Sequence, residues 1–222
     1  MAKDSTNSID EPSKNSSPPT AGGVIIDLGT GDGRFVYQSA RQHPDRFYLG
    51  IDAHPNALEK PSEKIHRKPA KGGLPNALFL HAAVEDLPTE LDGVADEVHV
   101  HFPWGSLLRA VATGDEAALC SIRRMCAADA WLEVVIGIDP ARDRAEIARL
   151  GLEPLTAGYL ETILIPRYRA AGFDVVEHGV LPPSEWPQLH TSWAQRLRGG
   201  AGRSLLYLIA RAVDSPNQES PS

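Results

Sequence analysis

The stretch Val24-Ile25-Ile26-Asp27-Leu28-Gly29-Thr30-Gly31-Asp32-Gly33-Arg34-Phe35 decides the fold. Its mostly apolar first part predicts a buried strand, which ends in glycines at every second position before a helical pattern begins. Glycine lets the backbone turn tightly and approach a ligand where a Cβ would clash, and the N-terminus of the following helix points at that ligand. The stretch therefore predicts an α/β fold with a nucleotide-type site at the end of its first strand.

The acidic residues near this loop indicate which ligand binds. The spacing is G-x-G-x-G rather than the G-x-G-x-x-G of dinucleotide sites, and Asp27 stands two residues before the first glycine. Its carboxylate would repel a pyrophosphate but attract the sulfonium and amino groups of S-adenosylmethionine. Asp52 closes the next apolar run, where a carboxylate can accept hydrogen bonds from ribose hydroxyls. We therefore predict an S-adenosylmethionine site, and the alternative is a glycine-rich turn with an ordinary acidic rim.

The length and composition predict one soluble domain. The chain has 222 residues, enough for one α/β core, which we place at residues 22–213. Residues 1–21 are rich in serine and proline and are expected to form a disordered tail, as are residues 214–222. The sequence shows neither a membrane-spanning run nor the apolar core of a signal peptide. We expect a cytoplasmic protein that acts as a monomer.

The rest of the chain alternates between strand and helix patterns, as a parallel sheet requires. The predicted strands are Phe47–Ile51, Ala77–His81, Glu97–His101, Trp131–Ile138, Phe173–Val180 and Ser204–Val213. The predicted helices cover residues 35–42, 56–65, 115–126, 142–150 and 159–171. Pro61 should bend or shorten the second helix, because proline lacks the N–H that a helix interior uses.

Positive charge is concentrated in two segments, although the net charge of −7 argues against indiscriminate binding to nucleic acid. The first segment connects the second helix to the third strand, and the second precedes the last strand. Their cationic residues are Lys64, Arg67, Lys68 and Lys71 in the first and Arg196, Arg198 and Arg203 in the second. Both adjoin the predicted ligand rim, which predicts a polyanionic substrate bound on one face. The alternative is two solvated, charged loops.

Two tryptophans lie close to the predicted ligand site in the sequence pattern. Trp104 follows the fourth strand, on the rim that carries the glycine loop, and Trp193 lies within the second basic segment. Rings on two sides of a cleft can hold a base that has left its helix, each stack contributing about 1–3 kcal/mol. Either tryptophan considered alone could equally be a core residue.

The sequence offers little sign of metal or thiol chemistry. Cys120 and Cys126 are six positions apart in a helical pattern, so they point to different faces and are expected to be reduced structural thiols. We find neither a His/Cys cluster with metal-ligand spacing nor a nucleophile elbow. We therefore expect no metal cofactor.

Four motifs together resemble one family. They are Asp-Leu-Gly-Thr-Gly-Asp-Gly at 27–33, Lys-Pro-Ala-Lys-Gly-Gly-Leu-Pro-Asn at 68–76, Phe-Pro-Trp-Gly-Ser-Leu-Leu-Arg at 102–109 and Thr-Ser-Trp-x-x-Arg-Leu at 191–197. In this order they resemble the aminoglycoside-resistance 16S rRNA methyltransferases of the KamB and NpmA type. The resemblance implies a class I, Rossmann-like methyltransferase with a seven-stranded, mostly parallel sheet whose last strand is antiparallel. It also implies methylation of N1 of adenine 1408 in the 30S subunit and resistance to kanamycin and apramycin.

The resemblance also implies a role for each candidate residue. Trp104 and Trp193 would sandwich the flipped adenine, with Ser106 lining the pocket. The basic residues named above would grip rRNA phosphates. The residues expected to hold S-adenosylmethionine are Asp27, Gly29, Thr30, Gly31, Asp32, Asp52, Val84 and Glu85.

Other functions remain open at this point. One is a methyltransferase that acts on guanine N7 of tRNA or on a small molecule, and another is a noncatalytic ribosome-binding module. An exocyclic amine target would favour an Asn/Asp-Pro-Pro-Tyr type of motif after the fourth strand, where Phe-Pro-Trp stands instead.

Overall fold

The glycine-interrupted stretch forms the first strand and helix of an α/β sheet. The computed structural model describes residues 22–181 and 204–213. The elements are β1 Val24–Leu28, α1 Arg34–Gln42, β2 Phe47–Asp52, α2 Pro55–Ile65, β3 Ala77–His81, β4 Ala95–His101, α3 Gly105–Thr113, α4 Glu116–Met125, β5 Cys126–Ile138, α5 Arg144–Leu150, α6 Ala157–Tyr159, a π-helical segment Leu160–Leu164, α7 Ile165–Ala170, β6 Phe173–Leu181 and β7 Ser204–Ala212.

The sheet has seven strands in the order β3-β2-β1-β4-β5-β7-β6. The first five strands are mutually parallel, and β7 runs antiparallel to both β5 and β6. This arrangement confirms the predicted mostly parallel sheet with an antiparallel last strand. The carboxyl ends of β1 to β5 consequently share one rim, where ligands bind in open α/β sheets.

Strand alternation divides the core between the two faces of the sheet. Ile26 and Leu28 of β1 belong to the large apolar core that includes residues of α3, α4 and α7. Ile25 packs on the opposite face with Val36 and Ala40 of α1. Among the described residues, no helix combines the length and apolarity needed to cross a bilayer.

Three elements differ from the sequence predictions. Helix α2 continues past the buried Pro61 to Ile65, so it is not shortened there, and the alternative that Pro61 bends the helix stays a prediction. Helix α3 had no predicted counterpart, because it is short and begins directly after Trp104. Strand β5 begins at Cys126 rather than at Trp131. Its first residues do not show a regular strand pattern, because the pairing with β4 is irregular there and Asp129 has a left-handed φ of 61°.

The predicted helix at 159–171 exists, but it is not α-helical throughout. A π-helical segment separates α6 from α7, and both Leu160 and Leu164 within it are buried. Pro166 follows in the first turn of α7 and has no N–H to donate to the preceding turn. The missing donor explains why the wider π turn forms here.

Candidate active site

The glycine loop after β1 requires glycine for two different reasons. Gly29, Gly31 and Gly33 all have left-handed φ values, of 79°, 54° and 65°. A Cβ on Gly33 would also lie 2.6 Å from the Phe79 ring and 2.7 Å from Cβ of Pro61. The loop therefore depends on glycine for its turns and for its close packing against the neighbouring elements.

The end of β2 holds this loop in place. The backbone N–H groups of Gly29 and Thr30 both donate to the carbonyl of Ile51, at 2.8 and 3.0 Å. Asp52 accepts from the N–H of Gly31 through Oδ2 and from the N–H of His54 through Oδ1, each at 2.8 Å. The Asp52 carboxylate is thus fixed with lone pairs left to accept from a ligand.

A cavity of about 390 Å³ opens beside the loop. It is lined by residues at and after the carboxyl ends of β1, β2, β3 and β4, including the start of α3, together with one residue of α5. The lining residues are Leu28, Gly29, Gly31, Ile51, Asp52, Ala53, His54, Ala82, Ala83, Val84, Glu85, Phe102, Pro103, Trp104, Gly105, Ser106, Leu107 and Arg149. Seven of the predicted site residues meet here: Gly29, Gly31, Asp52, Val84, Glu85, Trp104 and Ser106.

Three predicted cofactor residues lie near the loop without lining this cavity. Asp27 is buried, and its Oδ2 accepts a hydrogen bond of 2.7 Å from the hydroxyl of Thr30. Burial raises the pKa of Asp27 to about 6, although this hydrogen bond and the charge of His99 lower it. Asp32 is exposed and pairs with Arg34 at 3.3 Å. In this structure Asp27 and Thr30 therefore support the loop from beneath.

The turn after β4 presents Trp104 to solvent. Phe102 has a left-handed φ of 50°, which is uncommon for a residue with a side chain, and its N–H donates to the carbonyl of Val135 at 2.8 Å. Its ring packs where a Cβ on Gly137 would lie only 2.6 Å away. Trp104 caps the N-terminus of α3 and is 52% exposed at the cavity. Ser106 follows in the first turn of α3.

The second basic segment begins and ends beside this turn. Ser204, the first residue of β7, pairs with Ile138 at the carboxyl end of β5, and Leu181 at the end of β6 pairs with Leu205. Leu181 and Phe102 both pack against the apolar pair Val135 and Leu205. Four predicted residues, Trp193, Arg196, Arg198 and Arg203, lie outside the described residues.

The first basic segment comprises the last turn of α2, which carries Lys64, and the folded loop that follows it beside the amino ends of β2 and β3. Lys64, Arg67, Lys68 and Lys71 are all exposed, and within the described ranges none of them has a carboxylate oxygen within ion-pair distance. Lys64 instead places Nζ 3.4 Å from the centre of the Tyr37 ring. These four charges are therefore available to an anionic partner.

Hydrogen bonds give the segment a defined shape. The Tyr37 hydroxyl donates to the carbonyl of Gly72 at 3.0 Å. The N–H of Gly73 donates to the carbonyl of Lys68, and a Cβ on Gly73 would lie 1.7 Å from the Arg67 carbonyl oxygen. At the far end, the Asn76 amide donates to three carbonyls, those of Ala40, His43 and Arg46, at 2.9, 3.2 and 2.9 Å.

Sequence reasoning missed several residues of the site. His54 and Arg149 line the cavity, and Arg149 forms a two-point ion pair with Glu146, at 2.7 and 2.6 Å. Only tertiary packing brings α5 to this rim, so local patterns gave no signal for Arg149. The left-handed turn at Phe102 was equally hidden, because nothing in Phe-Pro-Trp requires a positive φ.

The residues present suit S-adenosylmethionine. The cavity volume falls within the usual range for small-molecule sites, roughly 300–1,000 Å³. Asp52 can accept from ribose hydroxyls, exposed Glu85 lies at the end of β3 where the adenine edge is expected, and Gly31 has no atom within 4 Å of an added Cβ. Both carboxylates are hydrogen-bond acceptors, which suits the hydroxyls of a ribose and the amino group of an adenine.

Comparison with known proteins agrees with this geometry. Residues 7–212 match the model of the NpmA family, 16S rRNA (adenine(1408)-N(1))-methyltransferase. The enzyme of that name from Streptoalloteichus tenebrarius is 40% identical over 180 residues, covering 81% of this chain and 82% of the relative. The crystal structure of the aminoglycoside resistance methyltransferase NpmB1 is 52% identical with a TM-score of 0.72, covering 86% of this chain and 87% of that chain.

A second solved structure contains the cosubstrate. It is a tryptophan-to-alanine variant of the 16S rRNA (adenine(1408)-N(1))-methyltransferase from Catenulisporales acidiphilia with SAM, 36% identical with a TM-score of 0.75, covering 91% of this chain and 89% of that chain. The family model spans nearly the whole described fold, including the glycine loop, the Trp104 turn and the basic loop. The chain therefore belongs to the 16S rRNA (adenine(1408)-N(1))-methyltransferase family.

Proposed function

We propose that this protein transfers a methyl group from S-adenosylmethionine to N1 of adenine 1408 of 16S rRNA in the assembled 30S subunit, acting as a cytoplasmic monomer. Such methylation would confer resistance to kanamycin and apramycin. The observation that carries the proposal is the position of Trp104, an exposed indole at the mouth of a cavity suited to the methyl donor. An exposed ring in that place is suited to stacking on a base outside its helix.

In this reaction the main task of the protein is to orient the adenine and the methyl donor. The bound cosubstrate supplies an electrophilic methyl group. The lone pair on adenine N1 forms the new N–C bond as the S–C bond breaks, and the positive charge passes to the methylated ring. Since N1 carries no proton at neutral pH, no general base is needed. The indole face of Trp104 stabilises the cationic product, and stacking holds N1 in line with the methyl group.

A second aromatic ring, facing Trp104, would complete a slot that holds the adenine between two rings. Trp193 is proposed for this role on the basis of the family resemblance. Its segment leaves the sheet at Leu181 and returns at Ser204, and both ends lie near the Trp104 turn. This placement supports the proposal that Trp193 stacks on the opposite face of the adenine, with Arg196, Arg198 and Arg203 contacting rRNA.

The basic loop after α2 would dock the ribosome. One of the four exposed cations, Lys64, lies in the last turn of α2 and the other three on the folded loop after it, so little ordering is required when phosphates bind. Phosphate contacts position a protein on RNA without specifying sequence. Selection of one adenine would then come from which base can reach the slot once the loop is docked.

Primer extension tests the proposal directly. Purified 30S subunits are treated with enzyme and S-adenosylmethionine, and reverse transcription is expected to stop at the decoding-site adenine. Parallel reactions with naked 16S rRNA test whether the assembled subunit is required. Absence of the stop, with folded enzyme that binds the cosubstrate, would overturn the assignment of the substrate.

Expression in a sensitive bacterium provides a second test. Tolerance of kanamycin and apramycin should rise with the wild-type gene and should not rise with a Trp104→Ala variant expressed at the same level. Unchanged sensitivity with soluble wild-type protein would count against the resistance function.

A further inference from the structure

A cluster of metal-ligand side chains lies outside the cavity, on the sheet face that α1 covers. His99 and His101 are two positions apart on β4, so their side chains point to the same face of the sheet. Glu133 of β5 is paired with His99 across the two strands. Candidate ligand atoms of these three residues all lie within 4.8 Å of one another. The cluster joins two histidines and a carboxylate on rigid, neighbouring strands.

The distances within the cluster fit an ion better than direct hydrogen bonds. His99 Nδ1 lies 3.4 Å from Glu133 Oε2, and His101 Nε2 lies 3.5 Å from Glu133 Oε1. Hydrogen bonds between such atoms are shorter, about 2.7–3.2 Å. Two ligands on a tetrahedral zinc ion, each about 2.0–2.2 Å from it, are separated by roughly 3.4 Å. Among the described residues, buried His99 Nδ1 and Glu133 Oε1 have no hydrogen-bond partner.

The surroundings provide the outer contacts typical of metal sites. The other ring nitrogen of His99, Nε2, lies 3.4 Å from Glu97 Oε2, and Glu97 accepts a hydrogen bond of 2.9 Å from Arg46. A carboxylate behind a histidine ligand fixes its tautomer and ring orientation. The Phe35 ring packs against both histidines, with ring centres 5.2 and 5.5 Å away.

We propose that His99, His101 and Glu133 bind a divalent ion of the zinc class, through Nδ1 of His99, Nε2 of His101 and the Glu133 carboxylate, with a fourth position for water. Imidazole and carboxylate ligands suit zinc and cobalt. His101 ends β4, and the Phe102 turn that presents Trp104 follows it directly. The ion would therefore stiffen the strand end that carries the stacking ring.

A proton is the competitor for this position. Burial lowers the pKa of His99, but the close approach of the Glu133 and Glu97 carboxylates raises it to about 9. Burial likewise raises the pKa of Glu133, yet the two histidines hold it well below its usual range. In the metal-free protein an imidazolium would thus bridge two carboxylates, and the experiment must separate this ion pair from a metal site.

The test uses the full-length, untagged protein, stripped with a chelator and titrated with Co²⁺ and Zn²⁺. Wild type should bind one equivalent, with a visible absorption band in the cobalt form. Glu133→Gln and His101→Gln should each weaken binding at least about tenfold. His178→Gln changes an exposed histidine on β6 and should bind like wild type. Circular dichroism checks that each variant is folded.

The outcomes are distinct. Loss of the band in folded Glu133→Gln protein, with one equivalent in wild type, supports the metal site. No binding by wild type, or equal binding by Glu133→Gln, overturns it and leaves the proton-bridged ion pair. The measurement uses neither RNA nor S-adenosylmethionine, so its result is independent of the proposed function.

Discussion

Asp52 connects the glycine loop to the ligand cavity. Its two oxygens already accept hydrogen bonds from Gly31 and His54, so the carboxylate cannot turn away from the cavity without losing both. A bound ribose would add further hydrogen bonds to a charge already held in position. Asp52 should therefore control cosubstrate affinity more than fold stability.

Replacing Asp52 with asparagine tests this role. One oxygen becomes an amide that cannot accept, and the charge that strengthens the other bonds is lost. We expect affinity for S-adenosylmethionine to fall about 10–100-fold, measured by calorimetry. Asp174→Asn alters an exposed acid on β6 and should leave affinity unchanged. An Asp52→Asn affinity within about twofold of wild type would contradict the assignment.

Trp104 should act on the RNA substrate and leave the cosubstrate alone. Trp104→Ala removes a stack worth about 1–3 kcal/mol, so methylation of 30S subunits should fall roughly 10–100-fold or more while cosubstrate affinity stays nearly the same. Trp104→Phe keeps a ring and should recover part of the rate. The matched control is Trp131→Ala, which removes a half-buried indole on β5, beneath Arg211. A parallel loss of cosubstrate affinity in Trp104→Ala would make the ring structural.

Sequence reasoning identified the residue types of the site but not every orientation. Asp52 ends β2, and Glu85 and Trp104 come within four residues of the ends of β3 and β4, so the strand pattern alone placed them on the rim. Asp27 lies within a strand, where side chains alternate between faces, so it shares a face with Ile25, and it does not line the cavity. The motif specified an acid at this position without specifying which face it occupies.

The shape of the basic loop after α2 could not be predicted from its own sequence. Its composition predicted a long cationic connection before β3. Its shape depends on Tyr37 and on the carbonyls around α1 that Asn76 binds, and these lie far away along the chain. Local patterns carry no information about such contacts.

Gly73→Ala tests whether this shape matters for docking. The new Cβ would lie 1.7 Å from the Arg67 carbonyl oxygen, so the loop must rearrange although all its charges remain. Binding to 30S subunits should weaken severalfold in a filter-binding or sedimentation assay, with cosubstrate affinity retained. Gly158→Ala is the control, because its Cβ would meet nothing closer than 3.9 Å. Normal 30S binding by Gly73→Ala would show that charge alone suffices.

At the scale of the molecule, the basic segment that the structure describes lies beside Phe47 and Ala77, the first residues of β2 and β3, and so at the opposite edge of the sheet from the cavity. The expectation that it adjoins the ligand rim was therefore wrong, because a helix that follows a parallel strand returns the chain to the amino edge. Strand and helix alternation was enough to predict the sheet, since parallel strands need helical crossovers. The irregular start of β5 and the π-helical segment escaped prediction, because each depends on pairing or packing that only the folded molecule has.

This charge distribution predicts a salt dependence. Replacing Lys68 and Lys71 together with alanine removes two exposed cations, so the slope of log K against log salt for 30S binding should shrink by up to about 2. Arg169→Ala changes an exposed cation on α7 and should leave the slope unchanged. Equal slopes for wild type and the double variant would show that the loop does not contact phosphates.

The pairing of Leu181 with Leu205 has an evolutionary consequence. Strands β6 and β7, on either side of residues 182–203, are already paired at Leu181 and Leu205. The free-energy cost of closing the connection between them therefore changes little with its length. This connection can lengthen, shorten or be exchanged between relatives while the methyl-donor cavity stays intact. Changes of target among descendants of this scaffold should therefore accumulate there first.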